Sequence, residues 1–194
     1  PWLPATYAAA SAPVAALFAI MTKVGVYAIW RVHGVVFGEG PSAPVLQAVL
    51  LPLALGTCAA GVLGALAAQT LQRLVAWLTV TSVGTVLAAL ALANASAWSA
   101  GLYYMVQSTL VTAGLFLLVE QVSAQRGGAA GRLVSAAPLA QPALLGVLML
   151  LAAAAAAGLP PLPGFIGKLM LLQAASGHAW QVAVWVTLLS AGLL

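Results

Sequence analysis

Two lysines stand in apolar surroundings where a cation has no solvent, and they are the residues of this chain best suited to chemistry. Lys23 lies within Ala19-Ile20-Met21-Thr22-Lys23-Val24-Gly25-Val26-Tyr27. If residues 14–37 form one helix, the helical rise sets Lys23 about 13 Å from one end and about 21 Å from the other. A lysine stem does not comfortably snorkel so far, so the amine is expected near mid-depth of an apolar layer. Burial penalises the charged form, and an amine placed there can take up and release a proton. The plain alternative is a lysine that ties two helices together through backbone carbonyls. Ionisable residues at such depth carry function by default, which favours proton exchange.

Lys168 closes a different kind of stretch. Between 158 and 167 the chain holds three prolines and three glycines, as Gly158-Leu159-Pro160-Pro161-Leu162-Pro163-Gly164-Phe165-Ile166-Gly167. No α-helix continues through that run, yet apolar sequence flanks it on both sides. The whole stretch 142–176 is 35 residues long, more than the about 20 that one simple span requires. It reads as a discontinuous helix centred on Gly158, Pro160, Pro161, Pro163 and Gly164, a device that brings backbone dipoles to membrane depth. Lys168 then sits about one turn into the second half. The competing reading is two short helices around an external loop, with Lys168 at an interface.

Between the lysines in sequence runs a polar stripe, Tyr104, Gln107, Ser108 and Thr112. Spacings of three and four place these on one helix face. They can hold a file of water or simply hydrogen-bond helix to helix. Thr79, Thr81, Ser82 and Thr85 are equally open to both readings. His178 is expected in a solvated joint and His33 at an interface. The sequence offers no catalytic nucleophile–base pair, no glycine-rich phosphate loop, no metal-ligand spacing and no cofactor motif.

Composition dictates the elements that must hold these groups. The chain has 194 residues, 64% hydrophobic and 4% charged, with six Lys+Arg against two Asp+Glu. A soluble domain carries about a quarter charged residues. That balance excludes a soluble enzyme, a disordered segment and a nucleic-acid-binding domain. One cysteine, Cys58, excludes an internal disulfide framework. The expected fold is an all-α integral membrane protein, a polytopic helix bundle in a lipid bilayer.

Apolar stretches predict six segments, at about 14–37, 45–68, 71–93, 101–119, 142–176 and from 178 onward. Joints are expected at 38–44, with both breakers and Glu39, at 94–100, and at 120–141, which holds Glu120, Arg126 and Arg132. Pro52 is read near the start of its helix, where a missing N–H costs little. Arg73, Arg126 and Arg132 fall on one side and Arg31 on the other, so the three arginines are expected in the cytoplasm. Trp30, Trp98 and Trp180 fall near the membrane faces, as an aromatic belt would. The chain begins at Pro1 and ends inside an apolar run, 182–194, and is read as an internal fragment of a longer protein.

Four ordered motifs resemble one family. Pro1-Trp2-Leu3-Pro4 with Ser11-Ala12-Pro13-Val14-Ala15-Ala16-Leu17 resembles its "WLP … APxxVSALL" pattern, and Thr22-Lys23-Val24-Gly25-Val26-Tyr27-Ala28-Ile29-Trp30-Arg31 its "TKVGVYALxR" helix. Ala68-Gln69-Thr70-Leu71-Gln72-Arg73-Leu74-Val75-Ala76-Trp77 is similar to "AQxDLKRLLAY", and the 158–168 run to "GIPPLSGFxGK". These are signatures of the antiporter-like membrane subunits shared by Mrp/Pha multisubunit cation/proton antiporters and respiratory complex I. The wording is most similar to the D-type subunits of the Mrp/Pha systems.

The resemblance implies a single membrane domain over 1–194, with the end of a first inverted repeat at 1–40 and most of a second at 45–194. It implies a multi-pass subunit of a bacterial inner-membrane antiporter exchanging Na⁺ or K⁺ for protons, partnered by the other subunits of its complex. Lys23 matches the family's mid-membrane lysine and Lys168 the lysine of the second broken helix, which makes them the expected proton pathway. Tyr104, Gln107, Ser108 and Thr112 would form a polar relay between them. The alternative is a proton-pumping subunit of NADH-quinone oxidoreductase or a related membrane hydrogenase, and a third reading is an assembly scaffold. Two departures stand out: Gln72 replaces the motif's lysine, and the fourth segment has hydroxyls where the family often has histidines and a lysine.

Overall fold

In the computed structural model, which describes residues 2–37, 43–135 and 139–193, the chain is a bundle of helices. Four of them are long and apolar enough to cross a membrane: Ala12–Val36, Ala48–Leu66, Leu71–Leu92 and Ala95–Gln125. A short helix α1 (Trp2–Ala9) precedes α2 (Ala12–Val32), which opens with Ser11 extended and a proline in its first turn. Proline is pre-set for that position. The last turn of α2 loosens into a π-helical turn, His33–Phe37. Helix α3 (Ala43–Leu66) follows; the expected joint at 38–44 and Glu39 lie, over 38–42, outside the described residues. Pro52 sits in the interior of α3 rather than near its start, because the helix begins at Ala43.

Helix α4 (Leu71–Leu92) starts at Thr70, whose side chain accepts from the Arg73 amide at 3.3 Å. It ends at Ala93, which adopts a left-handed conformation with φ 50°. Asn94 then accepts from the Ala97 amide at 2.7 Å and starts α5 (Ala95–Gln125) at once. A side-chain oxygen over the first free amides is what nucleates a helix at that point. The expected seven-residue joint at 94–100 is therefore helical from Ala95 on, and so is 120–125. At 31 residues, α5 is about 46 Å long, so it extends beyond a hydrocarbon layer of about 30 Å. The discontinuous stretch is present as α6 (Pro142–Ala157), an irregular joint, and α7 (Pro163–Ala174). After a turn holding His178, α8 (Gln181–Leu193) completes the described chain.

Helix α4 is the axis of the bundle. Two-thirds of its most apolar window is buried (67%), against 28–33% for the other three long helices. A helix apolar on every side belongs in the interior. One of its faces packs Ala88, Ala89 and Leu92 with Leu51 and Ala54 of α3, Leu171 of α7 and Leu188 of α8. Another packs Val75 and Ala76 with Tyr7 of α1, Ala15 of α2, and Leu115 and Phe116 of α5. Contact with α3 is close enough that a Cβ on Gly84 would lie 2.7 Å from the Cys58 amide nitrogen. Glycine is required there by backbone approach.

The joints gather at two ends. At one, the Leu71 amide donates to the Gly131 carbonyl (2.8 Å) and the Leu133 amide to that of Gln69 (3.1 Å). This pairing holds Arg73, Arg126 and Arg132 at the same end. At the other, Asn94 Nδ2 donates to the Ala174 carbonyl at 3.0 Å, and Trp30 and Trp98 meet edge to face with centroids 4.8 Å apart. Trp30 is 2% exposed, so it packs inside the protein instead of facing lipid, while Trp98 and Trp180 remain exposed.

Candidate functional site

The break between α6 and α7 builds the site. Gly158 takes φ +80°, a conformation that favours glycine, and ends α6. Its amide and that of Leu159 both donate to the Ala154 carbonyl at 3.0 Å. Two further carbonyls of this helix end are met by side chains. Lys168 Nζ donates to Ala157 at 2.8 Å, and Gln107 Nε2 donates to Ala155 at 3.3 Å. Helix C-termini carry partial negative charge, so the lysine amine is seated where a cation is favoured. Helix α7 reaches this seat because Gly164 and Gly167 allow close approach to its neighbours. A Cβ on Gly164 would run into the Ala155 carbonyl oxygen, and one on Gly167 would lie 3.1 Å from the Tyr104 ring.

Lys168 opens onto a small internal cavity of about 30 Å³, room for about one water molecule. Helix α5 lines it with all four residues of the stripe, Tyr104, Gln107, Ser108 and Thr112. Facing them are Thr81, Ser82 and Thr85 of α4, which sequence alone left between two readings. Several of these hydroxyls donate to their own helices: Ser82 to Thr79 (2.8 Å), Thr85 to Thr81 (3.0 Å) and Ser108 to Met105 (3.3 Å). With the hydrogen engaged, each oxygen presents lone pairs. The lining therefore accepts hydrogen bonds from a protonated amine or a water.

Cys58 joins this layer unannounced by any sequence signal. Its sulfur lies 3.5 Å from the Thr81 carbonyl and 3.7 Å from Thr85 Oγ1. A lone cysteine in an apolar run looks like packing; only the register of α3 against α4 reveals its neighbours.

Lys23 is 1% exposed, and its Nζ is buried with no hydrogen-bond partner among the described residues. It does not line the Lys168 cavity. One turn further along α2, Val26 packs with Val86 of α4 and Tyr104 of α5, so α2 meets the same helix pair that forms the cavity. Beside Lys23, Thr22 Oγ1 is 3.2 Å from the Tyr7 hydroxyl, which also donates to the Phe18 carbonyl at 2.7 Å. That contact pins α1 to α2 at the level of the lysine. Gln72, where the family motif has a lysine, donates to Ser123 Oγ at 3.0 Å and joins α4 to α5 with neutral groups.

Known proteins resemble the chain over nearly its whole length. The family model described as NADH:quinone oxidoreductase/Mrp antiporter, TM, matches residues 1–193. The chain is 40% identical over 192 residues to a probable K(+)/H(+) antiporter D-type subunit of Rhizobium meliloti, covering 89% of this chain and 36% of that protein. It is 33% identical over 177 residues to the Na(+)/H(+) antiporter D-type subunit of Bacillus subtilis, covering 89% and 34%. Among solved structures, a chain of the Mrp complex from a Dietzia species superposes with TM-score 0.85 at 30% identity, covering 99% of this chain and 36% of that one. A chain of respiratory complex I from Thermus thermophilus with bound NADH gives TM-score 0.85 at 28% identity, covering 98% and 41%. The chain thus spans about a third of the length of the curated relatives it matches.

Proposed function

Because the chain belongs to the membrane family of NADH:quinone oxidoreductase and Mrp antiporter subunits, we propose that it is part of a D-type subunit that exchanges Na⁺ or K⁺ for protons. The protein sits in a bacterial inner membrane as a multi-pass subunit of a larger complex. The observation that carries this reading is Lys168 seated on the carbonyl end of a broken helix, inside a cavity lined by hydroxyl oxygens.

In this reading Lys168 holds the proton as an ammonium directed at Ala157, and the neutral amine lets go of that carbonyl. The water the cavity has room for passes the proton on, accepted by Tyr104, Ser108, Thr112 and their partners on α4. Lys23 is the second station, and Val26 and Tyr104 connect its helix to the cavity wall. The end holding Arg73, Arg126 and Arg132 faces the cytoplasm. Residues 1–40 close a first inverted repeat, and 45–194 form most of a second. The chain works as a transporter subunit with other subunits of its complex, and the protons and cations are its substrates.

Replacing Lys23 by Ala in the assembled complex abolishes cation-dependent proton exchange in vesicles. Unchanged exchange at normal assembly overturns the role given to Lys23. The likeness to a complex I chain supports a second reading, a proton-pumping subunit of an NADH-quinone oxidoreductase. Under it, proton movement in the same vesicles follows NADH oxidation and is indifferent to Na⁺ and K⁺.

A further inference from the structure

At the end of the bundle away from the three arginines, α2 and the start of α5 enclose a cavity of about 290 Å³ that the proton pathway does not use. Its walls are Tyr27, Trp30, Gly34, Val35, Trp98 and Leu102, with Arg31 at its rim. Arg31 is exposed, and its guanidinium makes no hydrogen bond or ion pair with the described residues. The indole N–H of Trp30 is buried and likewise has no acceptor among them, with the 38%-exposed Trp98 packed edge-on beside it. A buried donor without an acceptor is costly to leave so, and a ligand that brings oxygen atoms would relieve it. The π-helical turn at His33–Phe37 shapes this wall, and at Gly34 a Cβ would lie 3.3 Å from the Trp98 ring.

Position decides which ligand fits. The cavity lies in the last turn of one spanning helix and the first turn of another, at the level where aromatic side chains mark a membrane face. Arg31 is the only Lys or Arg at this end, since Lys23 and Lys168 are interior and Arg73, Arg126 and Arg132 lie opposite. A planar guanidinium is suited to a phosphodiester, which it can grip through two parallel hydrogen bonds. The remaining walls are apolar or aromatic.

We propose that this cavity binds one anionic phospholipid from the adjoining leaflet, its phosphodiester on Arg31 and its acyl chains along Tyr27, Val35 and Leu102. The phosphate and ester oxygens supply the acceptor that the Trp30 indole lacks. The site is independent of cation exchange and would persist under either functional reading above.

The test uses the full complex in nanodiscs containing phosphatidylglycerol and phosphatidylcholine, extracted into mild detergent, with bound lipid counted by native mass spectrometry. Wild type retains phosphatidylglycerol over phosphatidylcholine by about tenfold. Arg31→Gln, at an exposed position, loses that preference; Arg31→Lys keeps part of it, and Trp30→Phe weakens it by removing the N–H while keeping an aromatic side chain. Equal retention of the two lipids by wild type, or an unchanged preference in Arg31→Gln, overturns the proposal. Lipid-depleted complex is also titrated with phosphatidylglycerol or with inorganic phosphate. A rise in melting temperature with the lipid alone is expected, and an equal rise with phosphate overturns the lipid assignment.

Discussion

Lys23 and Lys168 are the same side chain at depth, yet the protein gives them opposite seats. Lys168 has a carbonyl 2.8 Å away at a helix end, whereas Lys23 has no partner for its nitrogen among the described residues. A buried polar atom without a partner destabilises its protein. Lys23→Met keeps the volume and removes that atom, so the assembled complex should gain about 1–3 kcal/mol of stability while losing proton exchange. Thermal unfolding beside a vesicle assay measures both, and a loss of stability would mean that the nitrogen is bonded in the complex. The two lysines were legible in the sequence because a charge inside an apolar run has no trivial explanation. Thr81, Ser82 and Thr85 stayed open between two readings and Cys58 had none, since neutral groups on a helix serve packing as readily as a cavity. Only the facing of α4 by α5 and α3 distinguishes the two uses.

The broken helix shows how far pattern reaches for an element. Three prolines and three glycines within 158–167 announce that a helix stops, and the structure stops α6 at Ala157 and restarts at Pro163. Bounds set by capping were less visible. Asn94 looked like the start of a loop, but its side chain caps the next helix, and a cap and a loop residue are the same amino acid until the amides around it are placed. What the break's composition also conceals is which glycine carries close approach. Gly164 does, because a Cβ there meets the Ala155 carbonyl, the group that Gln107 also binds. Gly164→Ala should push α7 off α6 and cost about 1–3 kcal/mol. The same thermal unfolding reads it, and an unchanged melting temperature would show that the joint yields freely.

For the molecule as a whole, one buried helix, α4, contacts elements that belong on this reading to two different repeats. Tyr7 and Ala15 pack on it from one side, Leu171 and Leu188 from the other. The sequence marked 71–93 as one apolar segment among six, without singling it out as the axis; which neighbours it gathers depends on contacts far apart in the chain. The arginine-bearing end illustrates the same dependence. Nothing local in 126–134 predicts that its backbone pairs with the α3–α4 joint, yet the amides of Leu71 and Leu133 are both committed across that gap. Surface loops ordinarily trade their amide hydrogens with solvent quickly. Leu133, although its side chain is 53% exposed, should therefore exchange for deuterium well below the rate of an unstructured amide, and in step with Leu71. If the proposed exchange involves a movement that parts the 131–133 segment from the α3–α4 joint, it would be visible as those two positions losing their isotopic protection together.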